Sequence, residues 1–452
     1  MPNLKLSYQV KSRQVKTKKG GIEMSAIHYS NDIEIYGEYD VAVLGGGPSG
    51  VCAAVSAARN GLRVLLIEAS PSLGGMATIG QVGPFMTCYD RDGNKKIVGG
   101  LFDEIVDRLK KHSAVISPDE MEASTVYTSF IKKYHRHVTP FDSFYLEIVL
   151  DEMVRESGAE LLCYTQFCDC VTEGGKIKHI ILNAPEGLIC VKASLFIDCT
   201  GIAAVAAKAG VPTYKGDEAR GIPQPGTLMF EVGGVNDSGY EALGARPERP
   251  VKVYKTPSGR YKVNHYHVYN VDAANAKSLT DAHSKARYQV LDAYDVLRKK
   301  TQGFENCEIS NVATALGVRE SRHIEGEYKI TVEDVSTGTK FDDRIAVYGF
   351  GMDVHNRSEA ESGNFKIEIA EKYYIPYRSL LPKNCNNLLV AGKALSCESQ
   401  AVGGMRCMPA AMAMGQAAGI ACALAINNCV TLRGIDVSAL QAELRAAGAI
   451  ID

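Results

Sequence analysis

The chain has no tryptophan, no excess of either sign of charge and no regular array of cysteines. Fifty Lys and Arg residues stand against 52 Asp and Glu residues, which leaves a formal net charge of −2. A charge so evenly balanced offers no general attraction for nucleic acid or for an anionic membrane surface. We therefore expect neither of these as a partner.

The 13 cysteines are odd in number and scattered along the chain, which favours free thiols over a disulfide framework. The closest grouping is Cys163, Cys168 and Cys170. It lacks a second C-x-x-C pair and a paired histidine, so we predict no metal site. The basic residues near the N-terminus have no apolar core behind them, which argues against a secretory signal. We expect a cytoplasmic protein.

One apolar run, Met408 to Ile426, is nearly uncharged and long enough to cross a bilayer. Its residues are mostly Ala, Gly and Met, and it contains Gln416. Small side chains of this kind favour close packing against other protein segments. We therefore predict a buried helix here.

The most informative segment runs from Tyr39 to Glu68 and predicts a strand, a glycine turn, a helix and a second strand. Gly45, Gly47 and Gly50 follow the G-x-G-x-x-G spacing, which permits a tight turn, close approach of a pyrophosphate and close helix packing. The helix N-terminus provides free N–H groups for phosphates. Glu68 is placed to bind both hydroxyls of an adenosine ribose, and an acid there disfavours a 2′-phosphate. FAD and NAD remain as candidates.

The order of the later segments favours FAD. Parallel-strand character returns at Leu195 to Asp198, before a Thr-Gly turn, and again at Asn387 to Gly392. Residues 212–385 differ in character, with a helix predicted at Ala282 to Lys300 and antiparallel strands at runs such as Tyr328 to Val335. We predict an α/β fold, with a discontinuous Rossmann-like FAD-binding domain and an inserted, mainly β, α+β substrate domain. The predicted units are an N-terminal arm (1–37), the first part of the FAD-binding domain (38–211), the substrate domain (212–385) and a C-terminal return with a final helix (386–452).

Seven segments carry a family resemblance that extends from about residue 38 to residue 450. They are YDVAVLGGGPSG (39–50), LGGMAT (73–78), FIDCTG (196–201), GVRESRHIEGEY (317–328), MDVH (352–355), YYIPYRSLLPKNCNNLLVAGKALS (373–396) and GGMRCMPAAMAMGQAAG (403–419). Through them the chain resembles the FAD-dependent oxidoreductases of the glutathione-reductase-type two-dinucleotide-fold superfamily, and within it a largely uncharacterised bacterial branch.

The resemblance implies a set of FAD contacts along the chain. It assigns Gly45, Gly47, Pro48, Ser49 and Gly50 to the pyrophosphate, Glu68 and Ala69 to the adenosine ribose, Gly74, Gly75, Met76 and Ala77 to the ribityl chain and flavin, Phe167 and Cys168 to the adenine, Thr200 and Gly201 to the pyrophosphate, and Gly392, Met405, Arg406 and Met408 to the isoalloxazine. One departure is the run TGIAAVA after Asp198. Similar sequences carry acidic residues in this turn, so we expect altered or weaker FAD binding.

Charged groups in the second half of the chain are candidates for the chemistry. Arg406 precedes the buried helix and is placed to stabilise negative charge on a reduced flavin, although pairing with a surface acid remains open. Arg319 and His323 belong to a dense charged motif that suits either a carboxylate substrate or a structural ion-pair web. His355 follows Asp353 by two and is a candidate acid–base group. His265 and His267 remain open as a site pair or a polar strand face.

The sequence therefore predicts an enzyme that transfers a hydride between a small organic metabolite and the N5 atom of FAD. Three alternatives stay open: an NAD-dependent dehydrogenase, a flavoprotein acting on a macromolecule such as tRNA, and a non-catalytic dinucleotide-binding protein. Sequence does not identify the substrate, the electron acceptor, the mode of flavin attachment or the oligomeric state.

Overall fold

The computed structural model describes residues 30–121, 137–238, 251–361 and 368–452, together with the short paired strands β1 (Thr17–Lys19) and β2 (Ile22–Met24). Most of the predicted N-terminal arm lies outside the described residues. The helices are α1 (Pro48–Arg59), α2 (Leu101–Lys111), α3 (Ser143–Ser157), α4 (Ala204–Lys208), α5 (Ala276–Lys300), α6 (Val332–Thr337), α7 (Val402–Met405), α8 (Met408–Asn427) and α9 (Val437–Ala446).

The strands divide between one large sheet and several small ones. The large sheet contains β3 (Glu34–Leu44), β4 (Val64–Ile67), β5 (Glu160–Leu162), β6 (Gln166–Glu173), β7 (Lys176–Ala184), β8 (Gly187–Asp198) and β19 (Leu388–Val390). The others are β9 (Thr213–Lys215), β10 (Gly226–Thr227), β11 (Phe230–Gly233), β12 (Val253–Lys255), β13 (Tyr261–Val263), β14 (Glu308–Val312), β15 (Gly317–Val318), β16 (Arg322–Ile324), β17 (Arg344–Tyr348) and β18 (Tyr373–Pro376).

The large sheet has the order β5-β4-β3-β8-β7-β6, and β19 pairs with the C-terminal part of β8. Strands β5, β4, β3, β8 and β19 are parallel, whereas β6 and β7 form an antiparallel extension. Strand β4 is buried along its whole length, as expected for a parallel strand covered on both faces. The carboxyl ends of β3, β4, β8 and β19 meet at one edge, where ligands bind in sheets of this class.

Helices α1 and α8 pack closely because glycines of α8 face the backbone of α1. A β-carbon on Gly415 would lie 2.0 Å from the backbone oxygen of Ser49, and one on Gly419 would lie 2.4 Å from that of Ala53. Helix α8 is long and apolar enough to cross a membrane by length and composition, but 83% of its most apolar window is buried inside the protein. The prediction of a buried core helix is confirmed.

The inserted region has its own core. Strands β12-β13-β11-β14 form an antiparallel sheet, and α5 packs against it through Ala286, Val290 and Leu297. By contrast, α6 and the β17–β18 pair bury their apolar side chains in the same core as α1 and α8. The observed fold class is therefore the one that the sequence predicts. The end of the substrate domain at residue 385 remains a prediction.

One local prediction is wrong. The alternating run from Tyr328 to Val335 does not form a strand; its second half begins α6. The side chain of Thr331 accepts a hydrogen bond from the backbone of Asp334, and the Asp334 carboxylate accepts one from the backbone of Thr331. This reciprocal cap satisfies two helix-terminal N–H groups and outweighs the short alternation of apolar residues.

We predict that Gly415→Ala destabilises the protein. Alanine gains about 1 kcal/mol of helix propensity, but a β-carbon 2.0 Å from a backbone oxygen forces the helices apart, and overpacking costs about 1–3 kcal/mol. We expect a lower Tm in thermal unfolding, whereas the control Gly233→Ala, whose β-carbon meets nothing within 4 Å, should keep the wild-type Tm. An unchanged Tm for Gly415→Ala would show that the two helices separate freely.

Candidate active site

The glycine turn between β3 and α1 leaves an open cradle at the helix N-terminus. Gly45 has a φ of +99°, and a β-carbon there would lie 2.6 Å from the carbonyl oxygen of Cys199. A β-carbon on Gly50 would lie 1.8 Å from the carbonyl oxygen of Gly45. In contrast, a β-carbon on Gly47 would meet no atom within 4 Å. Gly45 and Gly50 are required by the fold itself, whereas the space beside Gly47 suits a pyrophosphate.

Glu68 lies at the end of β4 and is oriented by the backbone. Its carboxylate accepts hydrogen bonds from the N–H groups of Gly46 (2.6 Å) and Ser70 (2.7 Å). A carboxylate has about four acceptor sites, so both oxygens can still accept hydrogen bonds from ribose hydroxyls. The neighbouring Ala69 is exposed. This position and orientation agree with the ribose-binding role that the resemblance implies.

Two further glycine loops adjoin the same cradle. The N–H of Gly74 donates to the carbonyl oxygen of Gly46 (2.8 Å), and a β-carbon on Gly75 would lie 3.1 Å from the Cα of Gly47. Gly392 follows β19 with a φ of +95°, and a β-carbon there would lie 3.0 Å from Oγ of Ser49. The structure thus brings together three separate segments that were each assigned to FAD.

The Thr200–Gly201 turn is well held despite its missing acids. The buried Asp198 carboxylate accepts four hydrogen bonds, from N–H and Oγ1 of Thr200 and from the N–H groups of Val205 and Ala206. Burial raises the pKa of Asp198, although these donors oppose the shift. Ala203 adopts a φ of +49° at the start of α4. The TGIAAVA run therefore keeps the turn, because the acid that anchors it precedes the turn.

The remaining assigned residues lie around these loops. Met76, Thr200, Gly201, Arg406 and Met408 are partly exposed, while Ala77 and Met405 are buried. On β6, Phe167 packs against a buried cluster below the sheet and Cys168 is exposed. The open cradle, the oriented Glu68 and the converging loops fit FAD.

A second polar group, here named the Asp353 cluster, consists of Arg319, Asp353, His355, Arg406 and His267. Nη2 of Arg406 donates to both the backbone oxygen and Oδ2 of Asp353, each at 2.8 Å. Oδ2 of Asp353 also lies 3.1 Å from Nε2 of His355. The rings of His355 and His267 have centroids 4.8 Å apart at an interplanar angle of 78°. Asp353, His355, Arg406 and His267 thus bring three separate segments into contact, and Arg319 interacts electrostatically with both histidines.

The cluster is open to solvent. The Asp353 side chain is 49% exposed and that of His355 is 16% exposed, while Arg319 and His267 are partly buried. A small molecule could therefore touch these groups. The cluster also adjoins the flavin loops, since Nζ of Lys393, next to Gly392, donates to the backbone oxygen of Val318 (2.7 Å).

The surroundings shift the pKa values of His355, His267 and Asp353. Desolvation and then Arg319 lower the pKa of His355 to about 4 and that of His267 to about 2. Desolvation would raise the pKa of Asp353, but His355 and Arg406 outweigh it and hold that pKa well below its usual range. Both imidazoles are therefore neutral, and Asp353 is ionised, at neutral pH.

His323 lies in a different, closed group. Its Nδ1 is 3.2 Å from the backbone oxygen of Leu395 and its Nε2 is 3.5 Å from Oε1 of Glu320. Glu320 also accepts a hydrogen bond from Arg357 (2.8 Å), and the side chains of His323 and Glu320 are fully buried. A buried imidazole cannot touch a substrate, so this position does not support the predicted catalytic role of His323. The ion-pair interpretation fits this part of the motif.

The two histidines of the NHYHVYN segment also separate. Neither histidine lies on a regular strand. The ring of His265 is tilted against that of Tyr266, with centroids 4.3 Å apart, whereas His267 joins the Asp353 cluster. Lys393 was missed by sequence reasoning, although a cation directly after the Ala-Gly turn of the FAD return could have indicated it. Within the part of the chain that the structure describes, no group of three or more His, Cys, Asp or Glu residues is suited to hold a metal ion.

Comparison with known proteins identifies a family. Residues 40–444 match the model of a family described as FAD dependent oxidoreductase. A ferredoxin–NADP reductase of Geobacillus thermodenitrificans is 38% identical over 80 residues, covering 18% of this chain and 23% of that protein. A thiamine thiazole synthase of Aeropyrum pernix is 28% identical over 177 residues, covering 37% of this chain and 56% of that protein. The matched regions thus span less than two thirds of these relatives.

Solved structures with a similar chain path are more distant. A geranylgeranyl bacteriochlorophyll reductase-like protein from Thermoplasma acidophilum has a TM-score of 0.45 at 14% identity, covering 91% of this chain and 84% of that one. A p-nitrophenol 4-monooxygenase from Pseudomonas putida has a TM-score of 0.48 at 11% identity, covering 90% and 84%. At these values no detail of their sites is transferred.

We predict that Gly47→Ala weakens FAD binding without harming the fold. The new methyl group meets no protein atom within 4 Å and the backbone there is extended (φ −71°), so the apoprotein should keep its Tm. It should occupy the space of the pyrophosphate and weaken FAD binding about tenfold or more, that is by at least about 1.4 kcal/mol. Fluorescence titration of the apoprotein with FAD measures this, with Gly233→Ala as the control. Wild-type affinity in Gly47→Ala would contradict the placement of the pyrophosphate.

Proposed function

Since the chain belongs to the FAD-dependent oxidoreductase family, we propose that it removes a hydride from a carbon atom of a small organic metabolite, with His355 as the general base. The enzyme uses FAD as its cofactor. The single observation that carries the proposal is the hydrogen-bonded pair of Asp353 and His355, which is accessible to solvent and lies next to the loops that fit FAD.

The tautomer of His355 follows from its partner. An ionised carboxylate can only accept a hydrogen bond, so the neutral imidazole places its proton on Nε2, which faces Asp353 at 3.1 Å. This leaves a lone pair on Nδ1. Asp353 thus orients the ring and stabilises the positive charge that forms when Nδ1 accepts a proton.

The proposed reaction balances as an oxidation of an H–C–O–H or H–C–N–H group. Bound FAD would supply the acceptor for the hydrogen and two electrons of the C–H bond, which leave together as a hydride. His355 accepts the proton of the O–H or N–H group, and a C=O or C=N double bond forms in the product. Arg406, at the N-terminus of α8, adds a fixed positive charge to the positive end of that helix dipole. The positive end of the helix would favour the reduced, more negative state of the cofactor, whereas the charge of Arg406 is partly offset by its ion pair with Asp353.

Family membership bears on the alternatives. It supports FAD over NAD as the cofactor and an enzyme over a non-catalytic protein. Action on a macromolecule such as tRNA stays an untested alternative, and no observation on the described residues favours it.

We predict that His355→Gln slows reduction of the flavin while leaving FAD binding unchanged. Loss of a positioned general base costs about 10²- to 10⁴-fold in rate. The measurement is anaerobic bleaching of the bound flavin by a panel of secondary alcohols, hydroxy acids and primary amines, followed by rapid mixing with the fastest compound. His283→Gln on α5 is the control. Bleaching as fast as wild type by the His355 variant would remove His355 from the mechanism.

The pH dependence of kcat/KM provides a separate prediction. A base must be neutral, so activity should persist as the pH falls below 6.5, the ordinary value for histidine, and be lost only near the lowered pKa of His355, about 4. Asp353 raises that pKa, so Asp353→Asn should move the acid limb to still lower pH. It should also reduce kcat, because the ring loses the acceptor that orients it. An acid limb near pH 6.5 in wild type would contradict this account of the cluster.

A further inference from the structure

We infer that the substrate carries a carboxylate and that Arg319 binds it. The inference rests on the proposed function, because it names the class of substrate that the Asp353 cluster receives. It is carried by the balance of charge around the Asp353 cluster. It is also carried by the N–H groups of Arg319 that form no hydrogen bond to the described residues.

The Asp353 cluster and the adjoining Lys393 together hold more positive than negative charge. Arg319, Arg406 and Lys393 are cations, whereas Asp353 is the one carboxylate paired with them among the ion pairs of the described residues. Arg406 uses that carboxylate through a bond of 2.8 Å. Both imidazoles are neutral, so they neither add to the excess nor cancel it. Lys393 lies beside Gly201, where a β-carbon would be 3.1 Å from its Cε, so it can face the FAD pyrophosphate. Arg319 is therefore the cation left without an ion-pair partner among the described residues.

The cations also oppose one another. Desolvation lowers the pKa of Arg319 to about 10, and Arg406 contributes to the shift; desolvation lowers the pKa of Lys393 to about 8, again with Arg406 contributing. Like charges that interact in this way cost free energy unless an anion binds between them. A structural role alone would favour an acidic residue nearby, as in the closed group where Glu320 pairs with Arg357.

Arg319 is held in a way that leaves part of its guanidinium available. Its Nη1 donates to the backbone oxygen of Pro225 (2.9 Å) and to Oγ1 of Thr227 (2.8 Å). No hydrogen bond from its Nε or Nη2 is formed to the residues that the structure describes, and the side chain is partly exposed. A guanidinium fixed at one nitrogen presents the other two to a planar acceptor, and carboxylates match this fork in bidentate fashion.

The other anions of the site have their own places. The pyrophosphate of FAD fits beside Gly47, at the N-terminus of α1. Negative charge on the reduced flavin would be met by the N-terminus of α8, whose adjacent Arg406 is already paired with Asp353. Arg319 instead donates to Pro225 and Thr227. Gly226, between those two residues, pairs with Val268, which follows His267, so Arg319 lies among the groups proposed to touch the substrate.

The experiment measures binding without turnover. Purified holoenzyme with oxidised FAD is titrated with acetate, propionate and succinate, which carry no H–C–O–H or H–C–N–H group to oxidise, and with their neutral amides, at constant ionic strength, while the visible flavin spectrum is followed. We expect at least one carboxylate to give a saturable spectral change that its amide does not give. Arg319→Met should weaken this binding about 10- to 100-fold, as expected for a lost hydrogen bond to a charged group.

Two further variants make the result specific. Arg319→Lys keeps the charge but not the fork, so it should bind with intermediate affinity. Arg298→Met removes an arginine on α5 that donates to the backbone of Glu305, and it should bind as wild type does. The ratio of flavin to protein absorbance and the Tm show that each variant is folded and loaded. If Arg319→Met fails that check, Arg319→Lys decides alone, and wild-type affinity in it would overturn the inference.

The inference and the proposed function can fail separately. Equal binding of acids and amides, wild-type affinity in Arg319→Met, or no response to any of the three acids would overturn the carboxylate site. If an acid binds through Arg319 but no compound in the bleaching panel reduces the flavin, the carboxylate site stands and the proposed hydride transfer fails. If neutral alcohols or amines bleach the flavin as fast as acids do, the hydride transfer stands and the carboxylate site fails.

Discussion

The close contact between α1 and α8 is the constraint on which the rest of the site depends. Ser49 on α1 lies under Gly415, and its Oγ donates to the backbone oxygen of Ala391, 342 positions later in the chain. Only glycine at position 415 allows this approach. The contact fixes the C-terminal return against the first βαβ unit, so Gly392 and Arg406 reach a cradle that is built mainly by the N-terminal part of the chain.

The same constraint determines where the inserted region can act. Strand β15 carries Val318, whose backbone oxygen accepts a hydrogen bond from Lys393 (2.7 Å) directly after the return strand. Arg319 is the next residue, so it is delivered to the edge of the cradle. His267 reaches the same place from the segment that follows β13. The proposed substrate groups and the loops that fit FAD are therefore brought together by a hydrogen bond to the backbone of Val318 and by the ring contact between His267 and His355.

The fold was largely predictable, because each of its main signals is local. The G-x-G-x-x-G turn, the acid at Glu68 and the apolar run of α8 are patterns within a single segment. The run from Tyr328 to Val335 was misassigned because a capping pair, Thr331 and Asp334, decides its structure. In the site, the positions of the FAD loops could be inferred from resemblance. The partners of each charged side chain could not, because these depend on contacts between residues distant in sequence.

The histidines show why the site was harder to predict than the fold. His323 and His355 each stand near an acid and an arginine, so composition alone does not separate them. Burial does: the group of Glu320, His323 and Arg357 is closed to solvent, and its carboxylate already pairs with its arginine at 2.8 Å. This closed group supports the open one, since Gln224 donates to Glu320 and accepts from the N–H of His355.

A closed group must balance its own charges, because no other ion can reach it and an unpaired buried charge is strongly destabilising. An open group is under no such requirement. It can keep an excess of one sign when a ligand of the other sign arrives with the reaction. The Glu320 group is balanced by Arg357, whereas Arg319 in the Asp353 cluster is not balanced by the carboxylate that Arg406 already holds. This difference in charge balance is the reason that we infer a ligand site at the Asp353 cluster and a structural ion pair at the Glu320 group.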